Sequence, residues 1–228
     1  MSVLFIHGAG GTQSVWRLQT LHFKDSFAVE LPGHPSGSGL TSVDDYARVV
    51  EHQIDEKGIR RPVIVGHSMG GAIAIELALR KQEPRGLVLV GTGARLRVRP
   101  EFLRMVKENY GEAAKLLSSW SVSASADPMI VERMVRDLRG VSAEVTWGDL
   151  TACDTFDRMD RVGEIECRTL VVCGEDDRMT PKKYSQYLHE KIKGSELVII
   201  PGAGHSVMLE RPREFNRALE GFLASLRP

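Results

Sequence analysis

The 228-residue sequence has only three cysteines, Cys153, Cys167 and Cys173. They form no C-x-x-C pair, and an odd number argues against a disulfide framework, so all three are expected to be reduced. Cys173 reads as a small buried apolar residue in a strand. Net charge is lacking too, because Lys+Arg and Asp+Glu number 30 each. Without a basic excess, neither nucleic acid nor an anionic membrane surface is an expected partner. No apolar run reaches the roughly 18 residues that suggest a membrane-spanning helix. Nor does a signal-peptide pattern precede the first apolar run, Val3-Leu4-Phe5-Ile6, so a cytoplasmic location is predicted. Internal repeats and low-complexity linkers are absent. The remaining composition, 42% hydrophobic, is that of an ordinary globular protein. The length suits one α/β domain with room for an inserted lobe.

The stretch that organises the chain is Val63-Ile64-Val65-Gly66-His67-Ser68-Met69-Gly70-Gly71. Its β-branched run predicts a buried strand. The strand stops at Gly66-His67-Ser68-Met69-Gly70, a G-x-S-x-G match, and good helix formers follow from Ala72 to Arg80. That is the strand–turn–helix setting in which a serine is held on a strained turn above a helix N-terminus. The terminus offers amide N–H groups and partial positive charge to a developing oxyanion. As a bare pattern the motif could be a plain Gly/Ser turn. In this context Ser68 is the candidate nucleophile.

Further strands are predicted at Phe27–Leu31, Leu87–Val90, Thr169–Cys173 and Leu197–Ile200. Helices are predicted over Ser42–Gly58, with Tyr46, Val50 and Ile54 on one face and Ser42 as cap, and over Pro181–Ile192. A closing helix places Phe215, Leu219, Phe222, Leu223 and Leu226 on one face. Alternation of helices with near-continuous apolar strands predicts a mostly parallel sheet flanked by helices. Between about 94 and 165 the alternation stops. One stripe there holds Phe102, Met105, Val106 and Tyr110, and another holds Met134, Val135 and Leu138. Residues 94–165 are therefore expected to form a helical cap inserted into a core made of 1–93 and 166–228. Met105, Tyr110, Trp120 and Trp147 would either line an apolar pocket beneath it or form its own core.

A serine hydroxyl needs a base to take its proton and a carboxylate to orient that base. After the strand ending at Cys173 comes Gly174-Glu175-Asp176-Asp177-Arg178-Met179-Thr180-Pro181. Thr180-Pro181 reads as an N-cap and first helical residue, which leaves the acids on the preceding loop. Position alone does not choose between Asp176 and Asp177. After Leu197–Ile200 comes Pro201-Gly202-Ala203-Gly204-His205, a histidine among small residues on a loop leaving a strand, and His205 is the candidate base. His22, His52 and His189 fall on helices and read as surface residues, while His7 and His67 read as structural hydrogen-bonders. His34 sits in a Gly/Pro loop with no evident partner. His7-Gly8-Ala9-Gly10-Gly11 suits a second oxyanion donor, so the amides of Ala9 and Met69 are candidates. Gly8-x-Gly10-x-x-Gln13 with Glu30 also mimics a dinucleotide fingerprint, but its third glycine is missing.

Together these segments, with Trp16, Leu31-Pro32-Gly33-His34 and Glu210-Arg211-Pro212, resemble the α/β-hydrolase fold superfamily. The resemblance is to its carboxylesterase, enol-lactonase and carbon–carbon hydrolase branch. It covers nearly the whole chain and is weakest in the insertion. It implies Ser68 as nucleophile, His205 as base and Asp177 as acid, three residues after Gly174. It also implies hydrolysis of a small ester or related acyl compound, with no metal or organic cofactor. Haloalkane dehalogenases and epoxide hydrolases of this fold carry aspartate at the elbow and are disfavoured. Relatives usually place a β-hairpin before the His-Gly strand, and here only Met1 and Ser2 do so. The sheet is therefore expected to be about two strands short at that edge, where a homodimer could form. Some relatives keep the triad yet act as small-molecule receptors, a rival that rapid multiple turnover would exclude.

Overall fold

The computed structural model describes residues 2–80 and 84–227. Six parallel strands form one sheet: β1 (Val3–Ile6), β2 (Ser26–Ala28), β3 (Val63–His67), β4 (Gly86–Val90), β5 (Thr169–Gly174) and β6 (Glu196–Ile200), in the order β2-β1-β3-β4-β5-β6. Ten α-helices accompany them in the described residues. They are α1 (Arg17–His22), α2 (Val43–Glu56), α3 (Met69–Leu79), α4 (Pro100–Glu108), α5 (Tyr110–Trp120), α6 (Pro128–Arg139), α7 (Ala143–Thr155), α8 (Lys183–Lys191), α9 (Val207–Glu210) and α10 (Pro212–Ser225). None is long and apolar enough to cross a membrane.

Side chains alternate across a strand, so each apolar strand feeds two cores. Val3, Phe5, Val63, Val65, Val88, Val90, Leu170 and Val172 pack with Trp16 and with Phe215, Leu219 and Phe222 of α10. Leu4, Ile6, Ile64, Leu87, Leu89 and Val171 face the other way, onto Tyr46, Val50 and Ile54 of α2 and Ile73 and Leu77 of α3. Both faces are covered, which is why the strands read as unbroken hydrophobic runs. Parallel pairing brings the strands' C-terminal ends to one edge, with His67 beside Val90 and Gly174 beside Ile200.

Several local expectations are corrected. The second strand spans Ser26–Ala28 rather than Phe27–Leu31. Val29 still donates to the Phe5 carbonyl at 2.8 Å, but the Leu31 amide turns to the His7 ring, 3.4 Å away, and the chain leaves the sheet. Ser42 occupies the N-cap of α2 without making a side-chain capping bond. The Phe102–Tyr110 stripe is split at Asn109, which ends α4 and caps α5.

Helices α4 to α7 build the region between β4 and β5. Val106, Ala113, Ala114, Leu117, Leu138 and Leu150 form their own cluster. An antiparallel bridge between Arg95 and Asp157 closes the neck. Leu96, Ala152, Cys153, Phe156, Val162 and Ile165, toward its ends, pack into the core on the α3 face. Met105, Tyr110 and Trp147 pack against the α4–α7 cluster, while Trp120 stacks edge-on against Phe102 at 5.4 Å. None of these four lines the cavity beneath, so they pack among helices α4 to α7 and not on the pocket wall.

Candidate active site

Ser68 lies between the end of β3 and the start of α3, with φ 54° and ψ −118°. This positive φ is costly for a residue with a side chain, and it persists only where its surroundings enforce it. The Ser68 amide donates to the Val90 carbonyl at 2.9 Å, and the Thr92 hydroxyl donates to the Ser68 carbonyl at 2.8 Å. Glycine is required on both sides. A Cβ on Gly66 would come within 2.1 Å of the Gly70 carbonyl oxygen, and one on Gly70 within 2.3 Å of the Ile6 carbonyl oxygen. Met69 opens α3, so its N–H belongs to the first-turn amides that have no intrahelical acceptor.

Position had left Asp176 and Asp177 open. The structure buries Asp177 and leaves Glu175 and Asp176 exposed. Asp177 Oδ1 accepts the amides of Met179 and Thr180, both at 2.9 Å. Its Oδ2 accepts the Thr180 hydroxyl at 2.8 Å and lies 2.9 Å from His205 Nδ1. Both oxygens are thus fixed in place, and an acceptor-only carboxylate puts the imidazole proton on Nδ1. Burial opposes ionisation of Asp177. The charge and hydrogen bond of His205, with the bonds from Thr180, outweigh it and hold the carboxyl below its ordinary range. Thr180 was expected to cap a helix; the N-cap is Lys182 instead, which frees Thr180 for the acid.

The His205 loop is held by Glu210, whose two oxygens accept the amides of Gly204 and Ser123, each at 2.8 Å. The Ser206 amide donates to the Ser121 carbonyl at 2.7 Å. His67 bonds the His205 carbonyl through Nε2 at 3.0 Å. Burial, reinforced by repulsion from His205, lowers His67 to about 3 and keeps it neutral. Gly91, at the end of β4, has φ 50°, and a Cβ there would sit 3.2 Å from His205 Nδ1 and 3.4 Å from Asp177 Oδ2. Thr180, Gly91 and the role of Glu210 were not read from the sequence; the only available signals were a glycine directly after a strand and a motif quoted without an assigned part.

Ser68 and His205 share the wall of one cavity of about 280 Å³, together with Gly8, Ala9, Gly10 and Gly11. Gly8 lies against the serine, since a Cβ on it would stand 3.0 Å from Ser68 Cβ. The rest of the wall is mainly apolar, including Leu96, Leu117, Met134, Leu138, Met179 and Met208, with Arg97, Arg133 and Asp137 among the polar groups. Cys153 is also on this wall, and burial raises its thiol pKa, so its reactive thiolate form is disfavoured.

His34 departs from expectation. It is buried, with Nε2 2.8 Å from Asp149 Oδ2 on α7 and Nδ1 2.9 Å from the Pro32 carbonyl.

The family described as "Alpha/beta hydrolase family" matches residues 3–218. A solved thermophilic esterase is 40% identical and superposes with a TM-score of 0.87, covering 98% of this chain and 90% of its own. The 2-hydroxy-6-oxo-6-phenylhexa-2,4-dienoate hydrolase of Burkholderia cepacia is 28% identical, over 98% of this chain and 88% of its own length. The pimeloyl-[acyl-carrier protein] methyl ester esterase of Neisseria meningitidis serogroup B is also 28% identical, over 86% of this chain and 81% of its own. An elbow serine and a carboxylate-bound histidine at one end of a parallel sheet are thus found in a chain that belongs to the alpha/beta hydrolase family.

Proposed function

We propose that the chain is a serine hydrolase that cleaves a small carboxylic ester or related acyl compound. The observation that carries this reading is that His205, bonded to Asp177, shares the wall of the apolar cavity with Ser68 of the elbow. Nδ1 is engaged, so Nε2 is the nitrogen left to take the Ser68 proton. The Ser68 oxygen then attacks the acyl carbon, and the carbonyl electrons move onto oxygen. Backbone amides of Ala9 and Met69 receive that oxyanion; such a donor is worth about 2.7–4 kcal/mol. As the tetrahedral adduct collapses, the alcohol leaves with the proton held on His205. Water, losing a proton to the same nitrogen, frees the acid and restores Ser68. The apolar wall suits an apolar acyl or alcohol group, and residues 94–165 serve as the cap that encloses it.

Carbon–carbon hydrolysis is a second reading, favoured by the similarity to the Burkholderia hydrolase over 98% of this chain. A panel of p-nitrophenyl and alkyl esters, run beside a 2-hydroxy-6-oxo-dienoate, separates the two. Rapid multiple turnover of esters, abolished by Ser68→Ala in a folded protein, is the expected result. Turnover unchanged by Ser68→Ala would overturn the reading.

A further inference from the structure

We infer that Asp149, on cap helix α7, is a positioning residue that aims the oxyanion loop. Its carboxylate is fully buried and accepts from three distant segments. The Gly10 amide donates to Oδ2 at 2.7 Å, His34 Nε2 donates to the same oxygen at 2.8 Å, and the Tyr46 hydroxyl donates to Oδ1 at 2.6 Å. Tyr46 in turn accepts the Leu40 amide at 2.9 Å. One carboxylate therefore ties the loop after β1, the 31–40 loop, α2 and the cap into a single unit.

The connection matters because of where Gly10 stands. It directly follows Ala9, and both line the cavity that holds Ser68. Gly10 has φ 62°, so the peptide planes around it are set by a turn that would relax if its amide were released. A charge-assisted bond to a buried carboxylate is among the stronger restraints a loop amide can have. Fixing the Gly10 amide fixes the plane beside it, and with it the direction of the Ala9 N–H. An oxyanion donor works only if it is aligned before charge develops, since misalignment by about 1 Å is costly. The cap thus does more than cover the cavity: through Asp149 it sets one of the two donors. The inference rests on the proposed use of the Ala9 amide.

The test is Asp149→Asn, which keeps the shape but sets an amide N–H₂ group against one of the three donors. Active sites are titrated to completion with a fluorophosphonate, and kcat and KM for a p-nitrophenyl ester are expressed per titrated site. The expected result is a fall in kcat of about tenfold to a hundredfold with KM little changed, short of the full loss of a donor. Binding of a trifluoromethyl ketone, which forms a tetrahedral adduct on serine, weakens by the same factor. Should Asp149→Asn fail to fold, Tyr46→Phe, which removes one donor and keeps the ring, is measured in the same way, with a smaller fall of the same pattern expected. Normal kcat per titrated site in the folded variant overturns the role, even if thermal stability has dropped. If Ser68→Ala is inactive while Asp149→Asn turns over normally, only the positioning role fails. If Ser68→Ala stays active, the reading beneath it fails.

Discussion

The molecule holds two buried carboxylate–imidazole pairs of nearly equal length, Asp177–His205 at 2.9 Å and Asp149–His34 at 2.8 Å. What separates them is the second ring nitrogen. His34 Nδ1 lies 2.9 Å from the Pro32 carbonyl and Nε2 2.8 Å from an Asp149 carboxyl oxygen, so both ring nitrogens face acceptors, an arrangement that favours the protonated ring. Burial works against that charge, but the bond and field of Asp149 outweigh it and raise the pKa of His34. His205 donates from Nδ1 to Asp177, and its ring lines the cavity. In one pair both ring nitrogens face acceptors and the contact ties loops together; in the other the ring borders the cavity, where Nε2 is proposed to take a proton. A histidine and an acid in contact therefore define no chemistry until the remaining nitrogen is accounted for.

The sharpest way to break this contrast is to neutralise each acid in turn. Asp177→Asn should lower kcat by about 10⁴-fold while the protein stays folded, because the orienting acceptor for Nδ1–H is lost. Asp176→Asn, at an exposed position, should leave kcat unchanged, and a reversed ranking would identify the wrong acid. Asp149→Asn should lower kcat far less than Asp177→Asn does and also cost stability. Breaking a buried ion pair costs about 3–5 kcal/mol, read from urea unfolding at neutral pH. Equal stability losses in the two variants would erase the distinction.

A smaller effect tests the packing around the Asp177–His205 pair. Gly91→Ala adds a Cβ against His205 and Asp177 at a left-handed φ of 50°. Strain of about 1–3 kcal/mol there should lower kcat by about tenfold and reduce stability, as judged by initial rates and thermal melts.

A pH slope of opposite sign is expected at the two kinds of histidine. Burial, with repulsion from His34, lowers His7 to about 4, and burial with repulsion from His205 lowers His67 to about 3. The unfolded chain binds protons on these rings near pH 6.5 while the folded chain refuses them. Stability from His7 and His67 is complete above that pH and falls as pH drops, by about 1.4 kcal/mol per pH unit for each ring within its window. The lowered carboxyl of Asp177 adds a loss of the same sign in stronger acid. His34 runs the other way: its contribution is complete below pH 6.5 and is lost as pH rises through its raised value. Urea midpoints of the wild type and His34→Asn across this range would resolve the two slopes.

How far the sequence could be read follows the same division. The strands β1, β3, β4 and β5 were visible because burial on both faces leaves little room for polar residues, while the half-buried edge strands β2 and β6 were legible mainly from the apolar runs inside them. The elbow was visible because two glycines flank a serine between a strand and a helix. His205 and the acidic loop followed from their places after strands. Asp149 was not legible. It lies on α7, whose apolar residues surround the helix instead of forming a stripe, and its partners Gly10, His34 and Tyr46 are more than 100 residues away. Met105, Tyr110, Trp120 and Trp147 show the matching limit. Helical period says that a face is covered but not by what, and here the cover is helices α4 to α7 themselves.

The central claim is that Ser68, served by His205 and Asp177, is the nucleophile. Intact-mass and peptide spectrometry after treatment with a fluorophosphonate tests it most directly. A single adduct on the Ser68 peptide, absent in Ser68→Ala and formed far more slowly in His205→Gln, is the predicted result. An adduct on another residue, or ester turnover that persists in fully labelled protein, would contradict it.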